Sequence, residues 1–133
     1  MRKVFENTGA LTCIFTEEGV SLYGKKNEAF YPYGCMDSIC VTLFGELQIK
    51  FGFNLVTFVA EKPDRPEMRK TVKEVKPLLK TAPYEEPKVY MVCSKVPSDL
   101  PVDEQMHQYK LLFSTGTISK GYYDLKKRLL QDR

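Results

Sequence analysis

One histidine, His107, is the entire imidazole complement of this 133-residue chain. Acid–base or nucleophilic chemistry would have to be assembled around it, or from carboxylates and thiols alone. His107 sits in a helical stretch with no serine–aspartate or cysteine context, so it reads as a surface or hairpin-packing residue and not as a triad member. The adjacent pairs Glu17-Glu18 and Glu85-Glu86 fall in turns, where neighbouring side chains diverge; that suits solvation better than a shared proton site. Four cysteines, Cys13, Cys35, Cys40 and Cys93, occur without a C-x-x-C spacing. Of a disulfide, a metal site, a reactive thiol and a small buried hydrophobe, the last is the reading a reducing cytosol favours. The glycines are scattered among turns and form no phosphate-cradling loop. The expectation is a protein that is not an enzyme, with no cofactor, no metal and no small-molecule substrate.

Two features point to binding instead. Lys50-Phe51-Gly52-Phe53 has the composition of an aromatic RNA-binding strand, but it lacks a glycine after the lysine and has no partner motif. Phe51 and Phe53 are then expected in a core and not on a stacking platform. Arg69, Lys73, Lys76 and Lys80 recur at helical spacing and could meet anionic lipid or a phosphate-bearing partner, with Glu74 interrupting the field. The formal net charge of +3 is too mild for an obligate nucleic-acid binder, so anion recognition, at a membrane surface or on nucleic acid, is the second reading.

The elements that must position these residues follow from the periodicity. From Leu11 to Ala60 short alternating runs are broken by turn residues: Leu11–Phe15, Val20–Tyr23, Glu28–Tyr31, Ser38–Phe44, Leu47–Phe51 and Phe53–Ala60. Turns are expected at Thr16–Gly19, at Lys25-Lys26-Asn27 and at Gly45-Glu46. Six strands so spaced predict a sandwich or barrel. The period then changes. Asp64-Arg65-Pro66-Glu67 has the form of a capping box, and Met68, Val72, Val75 and Leu79 make one apolar stripe, predicting a helix over about 64–79 that kinks or ends near Val75 or Lys76 because of Pro77.

Residues 82–101 are rich in proline, yet Val89-Tyr90-Met91-Val92 is too apolar for a free tether and predicts an extra strand over 88–93. From Val102 the helical period returns. Met106, Tyr109, Leu112 and Phe113 share a face, Ser114–Thr117 breaks the helix, and Ser119 can cap a second helix. So short a link predicts an antiparallel hairpin over 102–133. The amino terminus lacks the apolar run of a signal peptide, and no stretch approaches the roughly 18 apolar residues of a membrane span. A cytoplasmic location is expected.

The tail, residues 104–130, resembles the SHOCT family, the short C-terminal domain found at the ends of many bacterial proteins. The resemblance is carried by Leu112, Gly116, Ile118, Ser119, Tyr123, Lys127, Leu129 and Leu130. It departs at Lys120-Gly121-Tyr122, where the family usually has acidic residues just after the cap. The front part, residues 1–81, is similar to the pleckstrin-homology-like β-domains that often precede this tail. That likeness is carried by the strand run, Tyr31-Pro32-Tyr33, Gly45, the Asn54–Phe58 strand and one closing helix. Together these imply an α+β fold, a small antiparallel barrel or sandwich closed by a helix and followed by a helical hairpin. A hairpin this short is marginal in isolation, so Tyr109, Leu112, Tyr123, Leu129 and Leu130 must bury against the β-domain, a second copy or another protein. The leading expectation is therefore a protein-interaction or self-association module, acting through the tail or through strand 88–93.

Overall fold

The computed structural model describes residues 2–9, 11–24, 27–91 and 95–131. The turn at Lys25-Lys26, and Val92 and Cys93 at the end of the expected extra strand, lie outside the described residues. Among the described residues eight strands and four α-helices follow in the order β1 (Arg2–Glu6), β2 (Thr12–Thr16), β3 (Gly19–Tyr23), β4 (Asn27–Pro32), β5 (Ser38–Val41), β6 (Glu46–Phe51), β7 (Asn54–Val59), α1 (Arg65–Val75), α2 (Leu78–Thr81), β8 (Lys88–Met91), α3 (Val102–Ser114) and α4 (Lys120–Gln131). The fold is α+β with two antiparallel sheets. One has the order β1-β2-β3-β4-β8 and the other β5-β6-β7, and they do not join into a closed barrel.

The sheets face each other across the main core. The five-stranded sheet contributes Phe5, Cys13, Phe15, Val20 and Tyr31, and the three-stranded sheet Ile39, Leu47, Ile49 and Phe58. Helix α1 adds Met68, Val72 and Val75 to this core, the stripe that its spacing predicts. The opposite face of the five-stranded sheet is also covered over β2–β4. The register runs Val4–Ile14–Ser21–Phe30–Lys88 across it, and Ile14, Ser21 and Phe30 in that row are wholly buried. Strand β4, Asn-Glu-Ala-Phe-Tyr-Pro, is buried from its second residue onward because it has protein on both sides.

Several local expectations need correction. The amino-terminal segment Arg2–Glu6 is a strand, paired from Arg2 with Thr16 to Glu6 with Thr12. The run expected as a strand over Ser38–Phe44 ends at Val41, because Thr42–Gly45 closes a turn by a Gly45 N–H to Thr42 carbonyl bond of 3.0 Å. Gly45 holds φ at +78°, the left-handed position of a three-residue hairpin loop, which a side chain would strain. Asp64 makes no capping hydrogen bond: a 3-10 turn over Lys62–Asp64 leads straight into α1 and gives Asp64 helical dihedrals. Glu67 is drawn instead to Lys3 at 2.9 Å. The helix expected over about 64–79 divides, by contrast, where Pro77 is expected to end or kink it. α1 ends at Val75, and although Lys76 and Pro77 keep helical dihedrals, the ladder tightens so that Leu79 bonds to Lys76 and Lys80 to Pro77.

Cys13 is wholly buried in the main core, and burial raises its thiol pKa far above the ordinary range. Burial likewise pushes Cys35 up from its usual 9.0 to about 11. Both thiols bind their protons more tightly folded than unfolded. Their contribution to stability is therefore complete below about pH 9 and lost as pH climbs, for Cys35 through about 11. In the folded protein at pH 8, iodoacetamide should leave Cys13 and Cys35 unmodified, while half-buried Cys40 is alkylated first of these three. Peptide mass mapping decides this, and early modification of Cys13 would contradict the buried assignment.

Candidate interaction surfaces

Helices α3 and α4 pack as an antiparallel hairpin, and the turn between them follows from local chemistry. Gly116, at φ +75°, donates to Phe113 and Thr117 donates to Leu112, the paired bonds of a Schellman cap. Ser119 Oγ then accepts the Tyr122 N–H at 3.1 Å and caps α4. Ile118 packs partly buried between the helices with Leu112, Tyr123 and Met106, around buried Tyr109, Tyr122 and Leu130. Val96 from the preceding segment joins this cluster. Buried Gln105 ties the same segment down by donating to the Ser98 and Leu100 carbonyls.

The hairpin lies on its own β-domain. Leu125 and Leu129 of α4 are buried against Phe30 of β4, with Tyr23 and Tyr90 at the margin. The closing leucines thus divide their work: Leu129 meets the sheet and Leu130 the hairpin interior. Each such leucine contributes roughly 1.5–3 kcal/mol on full burial. The first turn of α4 rests on the Tyr90 hydroxyl at Gly121, where a β-carbon would displace the tyrosine tip.

At the centre of this contact Lys126 Nζ meets Glu28 Oε1 at 2.6 Å, with side-chain exposures of 11% and 5%. The same ammonium lies 5.1 Å from the centre of the Tyr109 ring, so one side chain links the sheet to both helices. Arg128 stacks over Phe30 at 4.0 Å and reaches Glu18 at 2.6 Å, this second pair being more exposed. Neither Lys126 nor Glu28 is singled out by its sequence context. Lys127 is exposed at a charge-mixed recess with Arg2, Glu17, Glu18 and Asp124. Of the tail residues expected to associate, Tyr109, Leu129 and Leu130 are buried in cis. Leu112, Ile118 and Tyr123 are partly buried, and Gly116 and Lys127 are exposed.

Three other surfaces remain open. Strand β8 pairs with β4 and forms the edge of the five-stranded sheet, with Val89 and Met91 exposed. Where the sheets part, Leu22, Ala29, Tyr31, Val56 and Phe58 line an apolar groove of about 270 Å³. The third is the β5–β6 turn. Leu43 and Phe44 occupy its two central positions at 89% and 79% exposure. Arg69 donates from Nη2 to the carbonyls of Thr42 at 3.2 Å and Leu43 at 3.1 Å. The Arg65 side chain fills the space that a β-carbon on Gly45 would take. Two arginines one helical turn apart therefore brace this turn against α1.

The basic stripe is accordingly only partly free. Arg69 is engaged with backbone carbonyls, while Lys73, Lys76 and Lys80 are exposed. At about 3.6 residues per turn, Arg65, Arg69, Lys73 and Lys76 fall on one flank of α1, and Glu67, Lys70 and Glu74 on the other. Glu74 consequently does not interrupt the basic field. It lies toward Lys3, whose pKa is raised chiefly by its hydrogen bond and charge interaction with Glu67 and lastly by Glu74. Phe53 is fully exposed at the two-residue β6–β7 turn, contrary to its expected place in the core, whereas Phe51 packs against Tyr31 with ring centres 5.6 Å apart. His107 is exposed on α3 beside Asp103 and Glu104. Among the described residues no group of three His, Cys, Asp or Glu side chains could hold a metal ion.

Breaking the Glu28–Lys126 pair from one side should cost far more than an exposed ion pair would. Lys126→Met leaves a buried carboxylate uncompensated and should lower unfolding free energy by about 3–5 kcal/mol. Combining it with Glu28→Leu should recover much of that loss. Urea unfolding of the two single variants and the double variant measures the coupling. A Lys126→Met cost below about 0.5 kcal/mol would place the pair with ordinary surface bridges.

Set beside known proteins, the chain finds no counterpart: no family model, curated protein or solved structure matches it.

Proposed function

We propose that the protein is a non-enzymatic interaction module: a pleckstrin-homology-like β-domain with a SHOCT-like hairpin folded back on it, engaging its partner through the β-domain. Four antiparallel strands, then three, then a helix on the core support the first likeness, with β8 as an addition. The Gly116 and Ser119 caps support the second. The observation that carries the functional reading is the contrast in exposure. Leu125, Leu129, Leu130 and Tyr109 of the tail are buried in cis, while Leu43 and Phe44 project from the β-domain at 89% and 79% exposure. Paired large apolar side chains left in solvent mark a contact surface. A cytoplasmic setting agrees with the free thiols of Cys13, Cys35 and Cys40, and among the described residues no helix is long and apolar enough to cross a membrane.

Self-association through the tail is the second reading. It is favoured by Phe113, which stacks on Tyr123 at 5.1 Å and remains, with Leu111, on the outer side of the hairpin. Light scattering over a range of concentrations separates the two. With the tail stripe used in cis, the full chain should keep the monomer mass of 15.3 kDa throughout. A concentration-dependent oligomer that the exposed-face variant Leu111→Ser with Phe113→Ser abolishes would return the interaction to the tail.

A further inference from the structure

We propose that the β5–β6 turn and the basic flank of α1 form a docking surface for an anionic lipid membrane, with Leu43 and Phe44 entering the interface and Lys73 and Lys76 meeting the headgroups. This rests on the reading that the β-domain carries the interaction.

Three observations converge on one place. The most exposed adjacent apolar pair, Leu43-Phe44, is at a convex turn and not in a groove. That turn is braced by Arg65 and Arg69, so its apolar side chains are presented without prior ordering of the loop. The helix that braces it has a wholly basic flank, Arg65, Arg69, Lys73 and Lys76, bordering the turn, whereas its other flank, toward Lys3, is mixed, with Lys70 beside Glu67 and Glu74. Apolar side chains protruding beside lysines match the layering of a membrane surface, where acyl chains lie beneath anionic headgroups.

Other occupants fit less well. A nucleic-acid backbone would meet the lysines but offers nothing to a leucine–phenylalanine pair that stands out as a wedge beside them. A protein partner needs roughly 800 Å² on each side with a complementary pocket, far more than two side chains on a convex turn provide. A bilayer surface adapts to such a protrusion without a preformed pocket.

The sequence supplies a clean reporter, since the chain has no tryptophan. Phe44→Trp places one in the proposed surface. Phe53→Trp places one at an equally exposed turn at the opposite end of β6. Both full-length proteins would be mixed with vesicles of phosphatidylcholine alone and of phosphatidylcholine with equimolar phosphatidylglycerol. The expected result is binding to the anionic vesicles only, with a blue shift at position 44 and none at 53. Raising salt from about 0.1 to about 0.5 M should weaken that binding on the order of tenfold. Leu43→Ser with Phe44→Ser, and separately Lys73→Glu with Lys76→Glu, should each reduce it on the order of tenfold while thermal melting is unchanged.

Absence of anionic-vesicle binding, or equal binding to neutral vesicles, would overturn the proposal. So would binding to a short DNA duplex that the lysine variant removes and the Leu43/Phe44 variant leaves intact. A shift at 53 without one at 44 would sink this surface yet leave the β-domain reading in place. A tail-driven oligomer in light scattering would remove that reading whatever the vesicles show.

Discussion

A sheet with protein on both faces governs this architecture. The inner face of β1–β4 is covered by the second sheet and α1, and the outer face is closed over β2–β4, where Ile14, Ser21, Phe30 and Glu28 are buried, while Val4 of β1 stays exposed. Closing that outer face is the work of α4. It brings two leucines to Phe30 and the ammonium of Lys126 to the one carboxylate the sheet buries. A carboxylate in that position is strongly unfavourable without a partner. The tail is thus a third layer of the domain and not a separable appendage. The Lys126 contact with Tyr109 carries the same constraint into α3.

The same economy explains which surfaces are left over. Once α4 has closed one face and α1 has covered the main core, the apolar exposure left on the β-domain lies at turns and edge strands, and that of the tail on the outer side of α3. Charge on α1 is sorted by what each flank borders. Toward β1 the helix presents Glu67 to Lys3, with Glu74 farther off, a solvent-accessible pair whose stabilising effect is small. Toward the β5–β6 turn it presents arginines and lysines. Of these, Arg69 serves the fold by holding two carbonyls, while Lys73 and Lys76 are left to solvent.

What could be read in the sequence was local. Gly116 and Ser119 announce the cap and restart of the tail hairpin because each acts on backbone groups within a few residues. Met68, Val72 and Val75 announce the buried stripe of α1 through their spacing alone. The site was harder. Lys126 differs from Lys127 only in facing Glu28, a partner 98 residues away that no window contains. Strand β1 was hidden because Arg-Lys-Val-Phe-Glu has just two apolar residues, and its pairing with β2 supplies what its composition lacks. The Asp64 cap failed because a 3-10 turn ahead of the helix satisfies the backbone first. In each miss a contact distant in sequence, or a competing backbone bond, outweighed a propensity.

The Leu43-Phe44 turn is a different kind of exception. Apolar residues in an apolar run read as strand, and the left-handed Gly45 decides otherwise by closing a turn over Thr42–Gly45, so that the strand ends at Val41. Hairpin loops are ordinarily polar, since asparagine, aspartate, serine and glycine satisfy turn geometry and solvent together. Leucine and phenylalanine here satisfy neither, and their exposure shows that they add nothing to the core. Folding would be served as well by polar residues at both positions, with Arg69 still bonded to the same carbonyls, because those bonds involve backbone alone on the turn side. A local rule broken with no compensation inside the fold points to a requirement outside it. That places the reason for Leu43 and Phe44 in what the turn meets.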